Sequence, residues 1–198
     1  MQIASRLRRW AFLAREKFQA YSLLEMLARL WPTHVDILLY EGDAETLAAV
    51  PRLDGAPDVE VKRFDAAHLS GFPEIDEKAV GNREVYAVLM DGRVAHRVVL
   101  TWDITIPRRF GFDVNAPIMD LGFTWPEFRG RRLQPLVRRY VTQDVIDRGL
   151  YHKVYGTIAF GNTASEHGNA RAGMRRVARL KGFRIAGLIF KKEVLPWE

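Results

Sequence analysis

The chain has 198 residues, a net charge of +6 and no cysteine, which excludes disulfides, thiolate metal sites and cysteine nucleophiles. Its five histidines are scattered, with no His-x-x-x-His pair, and argue against a metal centre. With 48% hydrophobic and 27% charged residues the chain can bury a full core, and its positive charge favours an acidic partner: a phosphorylated cofactor, nucleic acid, an acidic carrier protein or an anionic membrane surface.

The N-terminal stretch, residues 1–31, reads as a basic amphipathic helix. Ile3, Leu7, Trp10, Ala14, Phe18 and Tyr21 recur at helical spacing, with Arg6, Arg8, Arg9, Arg15 and Lys17 elsewhere. Charges from Arg6 to Arg29 interrupt every apolar run, so neither a membrane span nor a signal core is expected, and the chain is placed in the cytoplasm, with peripheral membrane contact as an option. Such a helix packs on its own domain, lies on an anionic membrane or pairs with a second copy in a homodimer. Residues 32–198 are expected to form a single domain.

After Pro32 short strands and helices alternate. "HVDILLYE" predicts a strand, "DAETLAAV" a short helix opened by an Asp N-cap, and "DVEVKRF" a second strand, followed by short helical segments at "DAAHLSGF" and "PEIDEKAV". "EVYAVLM" and "RVAHRVVLTW", joined by Asp91-Gly92, predict a hairpin. "PIMDLGFTW" is the next strand, "RRLQPLVRRYVTQDVIDRG" a helix with Pro135 in its first turn, and "KVYGTIA" a strand. "NTASEHGNARAGMRRVARLKG" predicts a long helix with a break near Gly168, and "FRIAGLIFKKEV" a final strand or strand pair. This order predicts an α/β or α+β sheet with helices on its faces.

One stretch stands out chemically. In "FTWPEFRGRRLQPLVRRYV" a strand turns at Pro126 and crowds Arg129, Arg131 and Arg132 around Gly130 before a helix begins. A helix start offers unpaired N–H donors and the positive end of the dipole, and arginine offers a planar fork matched to phosphate oxygens. A solvated basic turn is the plainer reading of the same residues.

Here the residues carry a resemblance. "FTWPEFRGRRLQPL" is similar to the strand, loop and helix of the GNAT superfamily of N-acetyltransferases, whose pattern is Pro-Glu-Tyr/Phe-Arg-Gly-x-Gly-x-Gly. "GTIAFGNTAS" and "RLKGFRIAG" resemble its second signature, a strand leading to Asn, a helix, and a Gly-Phe opening the next strand. The matched region runs from about Val59 to Val194. The resemblance implies a central mixed, mostly antiparallel sheet with helices on both faces. It also implies acetyl-CoA or another acyl-CoA as co-substrate, and a small-molecule amine acceptor such as an amino sugar or amino-acid derivative. The acyl-CoA arm would lie where the sheet splays, against the main chain of Phe123 and Thr124. Arg129, Gly130, Arg131, Arg132, Leu133 and Gln134 would form the diphosphate loop, and Asn162 would lie near the arm; a helix N-cap is the ordinary role for Asn162.

The implied chemistry is direct attack of an amine on the thioester, with no metal. Asp120 is the first candidate base, ahead of Asp103, Glu127, Ser165 and His167. Simple alternation puts Asp120, Gly122 and Thr124 on one face, so Asp120 lines the cleft only if that face does. Arg132 and Gln134 replace two family glycines; Arg132 is tolerated if it already lies in the first helical turn with an ordinary φ. The family's thiolate-protonating tyrosine, counted four residues before Gly182-Phe183, falls on Ala178, leaving Ser165 as a substitute. Two alternatives stay open: an acyltransferase fed by acyl-carrier protein, and a non-catalytic binding module at a membrane or nucleic acid. Nucleic acid is disfavoured as a partner of the enzyme reading. The loop "TIPRRFGFDVNAPI", with Arg108 and Arg109, carries no acceptor code beyond a hint of an anionic group.

Overall fold

The computed structural model describes residues 32–50, 59–64, 83–102, 105–112, 115–185 and 188–197. The expected helix over 1–31, the helical segments within 65–80, and Asp103 lie outside the described residues.

Strand β1 (Thr33–Asp43) runs directly into helix α1 (Ala44–Ala49). Asp43 makes that junction: its carboxylate accepts from the Thr46 N–H at 2.8 Å, and the Thr46 hydroxyl accepts from the Asp43 N–H at 2.8 Å. Two otherwise orphaned amides are thereby satisfied. Strand β2 (Val61–Phe64) is followed by the expected hairpin, β3 (Arg83–Met90) and β4 (Arg93–Thr101). Asp91 and Gly92 take φ of +51° and +73°, the left-handed pair that lets a two-residue turn follow the strand twist. Next come α2 (Thr105–Arg109), β5 (Ile118–Thr124), a one-turn 3-10 helix (Pro126–Phe128) and α3 (Leu133–Asp147). The chain closes with β6 (Lys153–Ala159), α4 (Thr163–Arg171), β7 (Arg175–Ile185) and β8 (Leu188–Pro196).

The sheet order is β2-β3-β4-β5-β6-β1-β7-β8. The β2–β3, β3–β4, β4–β5 and β6–β1 pairs are antiparallel, and β5 and β6 run parallel. That one parallel pair requires a crossover, which α3 supplies. Val137, Val141 and Val145 bury one stripe of α3 against Tyr40, Tyr86, Val98, Leu100 and Met119 of the sheet. Ile106 and Pro107 of α2 lie toward the opposite face, with Val99 and Ile118. The fold is therefore the mixed, mostly antiparallel sheet with helices on both faces that the resemblance implied.

The expected long helix over 162–182 is corrected. Helix α4 ends at Arg171, Gly173 adopts φ +85°, and Arg175 already begins β7. Any side chain on Gly173 would meet the Thr46 carbonyl oxygen at 2.7 Å, so the chain turns close against α1 and leaves the helix. Gly182 and Phe183 lie inside β7 and open nothing. The glycine between helix and strand is Gly173, and the residue four before it is Asn169, not Ala178.

The described residues divide into two compact units, one that includes residues 32–35, 181–185 and 188–192, the other drawn from residues between 36 and 180 with 193–197. In the first, His34 packs edge-on to Phe183 at 5.3 Å, and Arg184 Nε donates to the Thr33 hydroxyl at 3.3 Å. The second holds the main core and every candidate residue discussed below. Among the described residues no helix is long and apolar enough to cross a membrane.

Candidate functional site

The site begins with a strand irregularity. On β4, Val99 pairs with Asp120, but Arg97 pairs with Phe123, so Leu121 and Gly122 together oppose Val98. This is a β-bulge, and Leu121 carries its strain at φ +51°. The Asp120 carboxylate accepts the Leu121 N–H at 2.8 Å and so holds the bulge in place. The bulge overturns the simple alternation. Asp120 shares a face with Val99, Arg97 and Phe123, whereas Thr124 faces the helix side, its hydroxyl 2.7 Å from Nδ1 of the buried His96.

The pairing of β5 with β6 ends where the bulge begins. The two strands pair at Ile118–Tyr155 and Met119–Gly156, and the register goes no further. From there Asp120 to Thr124 and Thr157 to Ala159 present facing edges with no strand pairing across them, a wedge-shaped opening in the middle of the sheet. Backbone donors and acceptors along such edges are ready to pair with an extended amide-containing ligand.

On the α2 side of the wedge lies a cleft of about 200 Å³, lined among others by Arg83, Ile106, Pro107, Asp120, Leu121 and Thr157. Asp120 lies in its wall. Arg108 and Arg109 are exposed on α2 beside it.

At the far end of β5 stands the basic loop. Phe128 is buried beneath the guanidinium groups of Arg93 and Arg131, 5.5 and 5.6 Å from its ring centre. Arg129 Nε donates to the Thr124 carbonyl at 3.3 Å, tying the loop to the strand end. Glu127, a weaker base candidate, is 2.5 Å from Arg93 and serves this loop. Gly130 has φ +78° and Arg132 φ +60°, two left-handed residues separated by one; turns of this kind can gather successive N–H groups around a concavity. The expectation of an ordinary φ at Arg132 is thus corrected: Arg132 is the N-cap of α3 in left-handed geometry, with no side-chain cap bond to the helix. Arg132 thus holds a conformation that glycine adopts without strain. Arg132→Gly should therefore unfold within about 1 kcal/mol of wild type, and Arg132→Val should lose about 1–2 kcal/mol, since a β-branched residue resists this conformation. Urea melts of the two variants check this; equal stabilities would show that the backbone there is relaxed.

Leu133 is buried under the first turn of α3, while Gln134 turns sideways. A Cβ on Gly168 of α4 would lie 2.8 Å from the Gln134 side chain, so α4 supplies the glycine that α3 lacks and the two helices still close together. Asn162 caps α4, its side-chain oxygen accepting the Ser165 N–H at 3.2 Å. Ser165 is half-buried in that first turn and does not line the cleft beside Asp120. His167 is exposed on the same helix.

Three functional candidates were not singled out in the sequence. Arg138, 3% exposed, extends from α3 beneath the wedge. It lies three residues before Val141 and seven before Val145, on the apolar stripe, a position where an arginine is itself a signal. His96 lies under β4; burial, with the Arg138 charge nearby, pulls its pKa down to about 3 and leaves the ring neutral. Asn169, 0% exposed, has neither side-chain polar atom hydrogen-bonded among the described residues.

No protein-family model matches the chain, and no curated protein matches its sequence. Solved structures do. A GNAT-family acetyltransferase from Colwellia psychrerythraea superposes with a TM-score of 0.52 at 14% identity, covering 80% of this chain and 59% of that one. A protein of Novosphingobium aromaticivorans assigned to GNAT acetyltransferases gives a TM-score of 0.52 at 18% identity, covering 75% and 63%. A conserved Staphylococcus epidermidis protein of unknown function gives 0.50 at 14%, covering 78% and 62%. The chain thus spans about three-fifths of the length of these structures. At these identities the likeness is one of fold: the chain has the overall fold of GNAT-family acetyltransferase structures.

Proposed function

We propose that this chain, which has the GNAT acetyltransferase fold, is an acyl-CoA-dependent N-acyltransferase acting on a small-molecule amine. The observation that carries the reading is the wedge between β5 and β6, opened by the bulge at Leu121, with Asp120 on one side and the uncapped start of α3 at its end. The residues fit the donor's three chemical parts. The amides from Gly130 to Gln134, flanked by Arg129, Arg131 and Arg132, suit a diphosphate. The free edge of β5 at Phe123 and Thr124 suits an amide-rich arm, and the narrow end of the wedge suits a thioester. Bound there, the donor supplies an activated acyl group on a sulfur that leaves easily.

The remaining chemistry falls to the protein. An amine in the α2-side cleft meets the Asp120 carboxylate, which takes its proton as the new C–N bond forms. Backbone N–H groups on the opened edge of β5 stabilise the charge gathering on the carbonyl oxygen. The bulge serves both tasks, because one distortion frees the strand edge and turns Asp120 into the cleft.

The purified chain should bind CoA with a Kd between about 1 μM and 1 mM, weakening as salt rises because the phosphate contacts are screened. Calorimetry and thermal-shift measurements test this. No heat and no shift at millimolar CoA would overturn the reading and favour a carrier-protein donor or a binding module. An amine screen following thiol release would then identify the acceptor.

A further inference from the structure

We propose that Arg138 is the counter-ion for a carboxylate at the far end of the transferred acyl group, so that the preferred donor is the CoA thioester of a dicarboxylic acid. This rests on the acyl-CoA reading above and adds a substrate class to it.

The placement comes from the register. Gly156 of β6 pairs with Met119 of β5 on one side and with Tyr40 of β1 on the other, and Met119–Gly156 is the last pair before β5 and β6 part. Gly156 leaves a slot between those neighbours, and the Arg138 guanidinium fills it: a Cβ on Gly156 would lie 2.6 Å from Nη1. A Cβ on Gly122, across the wedge, would lie 3.9 Å from Nη2. The cation therefore sits at the vertex of the wedge, on the helix side of the sheet.

Its hydrogen bonding is far from complete. A guanidinium has five N–H donors, yet among the described residues Arg138 makes one hydrogen bond, Nη1 to the Met174 sulfur at 3.8 Å, and its Nε has no partner. Among the described residues it forms no ion pair with a carboxylate. Burial pulls its pKa down only to about 10, so it stays charged at neutral pH. Two polar groups near it are neutral. His96 carries no charge, and the Tyr40 hydroxyl accepts from Arg176 at 2.8 Å and keeps its own proton to donate. Asp120 influences Arg138 electrostatically but lies on the other face of β5. A buried cation with N–H donors to spare and no carboxylate bonded to it among the described residues is suited to receive an anion.

The anion belongs to the donor because of where the two approaches lie. The acceptor cleft opens on the α2 face, and Arg138 is on the α3 face. What passes between the strands from one to the other is the acyl group. A carbonyl carbon held near Asp120 and a second carboxyl reaching Arg138 describe a short diacid chain, and a planar carboxylate matches the guanidinium fork.

The test compares ligands of equal chain length on the full protein. Succinyl-CoA should bind about 10²-fold more tightly than butyryl-CoA, and Arg138→Leu should abolish that difference while CoA itself binds within about threefold of wild type. If Arg138→Leu does not fold, the wild-type comparison decides alone, with Arg138→Lys expected to keep part of the preference. A wild type that binds CoA but treats succinyl-CoA and butyryl-CoA alike overturns this inference and leaves the acyl-CoA reading standing. Turnover falling equally with every acyl donor in Arg138→Leu also overturns it, because the cation would then act on the thioester. Failure to bind any CoA species overturns both.

Discussion

Asp120→Asn should lower turnover by about 10²-fold or more while changing donor affinity little. The substitution is well suited to the site. An asparagine side-chain oxygen can still accept the Leu121 N–H that Asp120 now accepts at 2.8 Å, so the bulge and the opened strand edge persist. What is lost is the basic carboxylate in the cleft wall shared with Arg83, Ile106 and Thr157. Binding energy at the basic loop should be untouched, because that loop lies at the far end of β5. The measurements are steady-state rates across pH, with calorimetry on the donor. A variant with wild-type turnover and an unchanged pH–rate profile would remove Asp120 from the chemistry and leave it as the residue that holds the bulge.

A second large effect is expected from acid. Between pH 6.5 and pH 4 the domain should lose about 3 kcal/mol of stability through His96 alone, at about 1.4 kcal/mol per pH unit. The sign follows from proton uptake. Unfolded, the imidazole titrates near 6.5; folded, burial and then the Arg138 charge pull it to about 3. Across that window the unfolded chain binds a proton that the folded chain refuses, so stability is full above 6.5 and drains away as pH falls toward 3. Carboxylates act lower. Burial would push Glu84 up, but hydrogen bonds from Arg148 and Tyr86 outweigh it and hold Glu84 below 4.5. Its contribution is therefore present above pH 4.5 and lost as pH falls through its folded value. Urea melts at half-unit pH steps read the slope, and His96→Gln should flatten it above pH 4.5. The same slope in that variant would assign the acid sensitivity to other groups.

How much of this was legible in the chain depends on the range of the forces involved. Local chemistry was readable. Asp43 three residues before Thr46 sets a helix cap, Asp91-Gly92 sets a turn, and Pro135 fits a first helical turn, each by interactions spanning a few residues. The basic turn before α3 was equally legible, because "FRGRRLQP" names its own donors. The end of α4 was misread although Gly173 marks it. "MRRVARL" satisfies both a helical and an alternating pattern, and a place in the sheet beside β1 chose the strand.

By itself, then, the sequence determined the charge, the exclusion of thiol chemistry, most elements, and a basic loop before α3. Tertiary structure decided what those parts can do. The bulge that turns Asp120 toward the cleft and Thr124 toward His96 arises from two residues of β5 opposing one of β4, a pairing between strands that no single stretch encodes. The left-handed Arg132 is imposed by the entry into α3 against the core, overriding the ordinary preference of its residue type. The Arg138 guanidinium occupies its buried place because Gly156, on a different element, vacates the space it enters. Side-chain volume and hydrogen bonding are settled between elements distant in the chain, and the vertex of the wedge is where three of them meet.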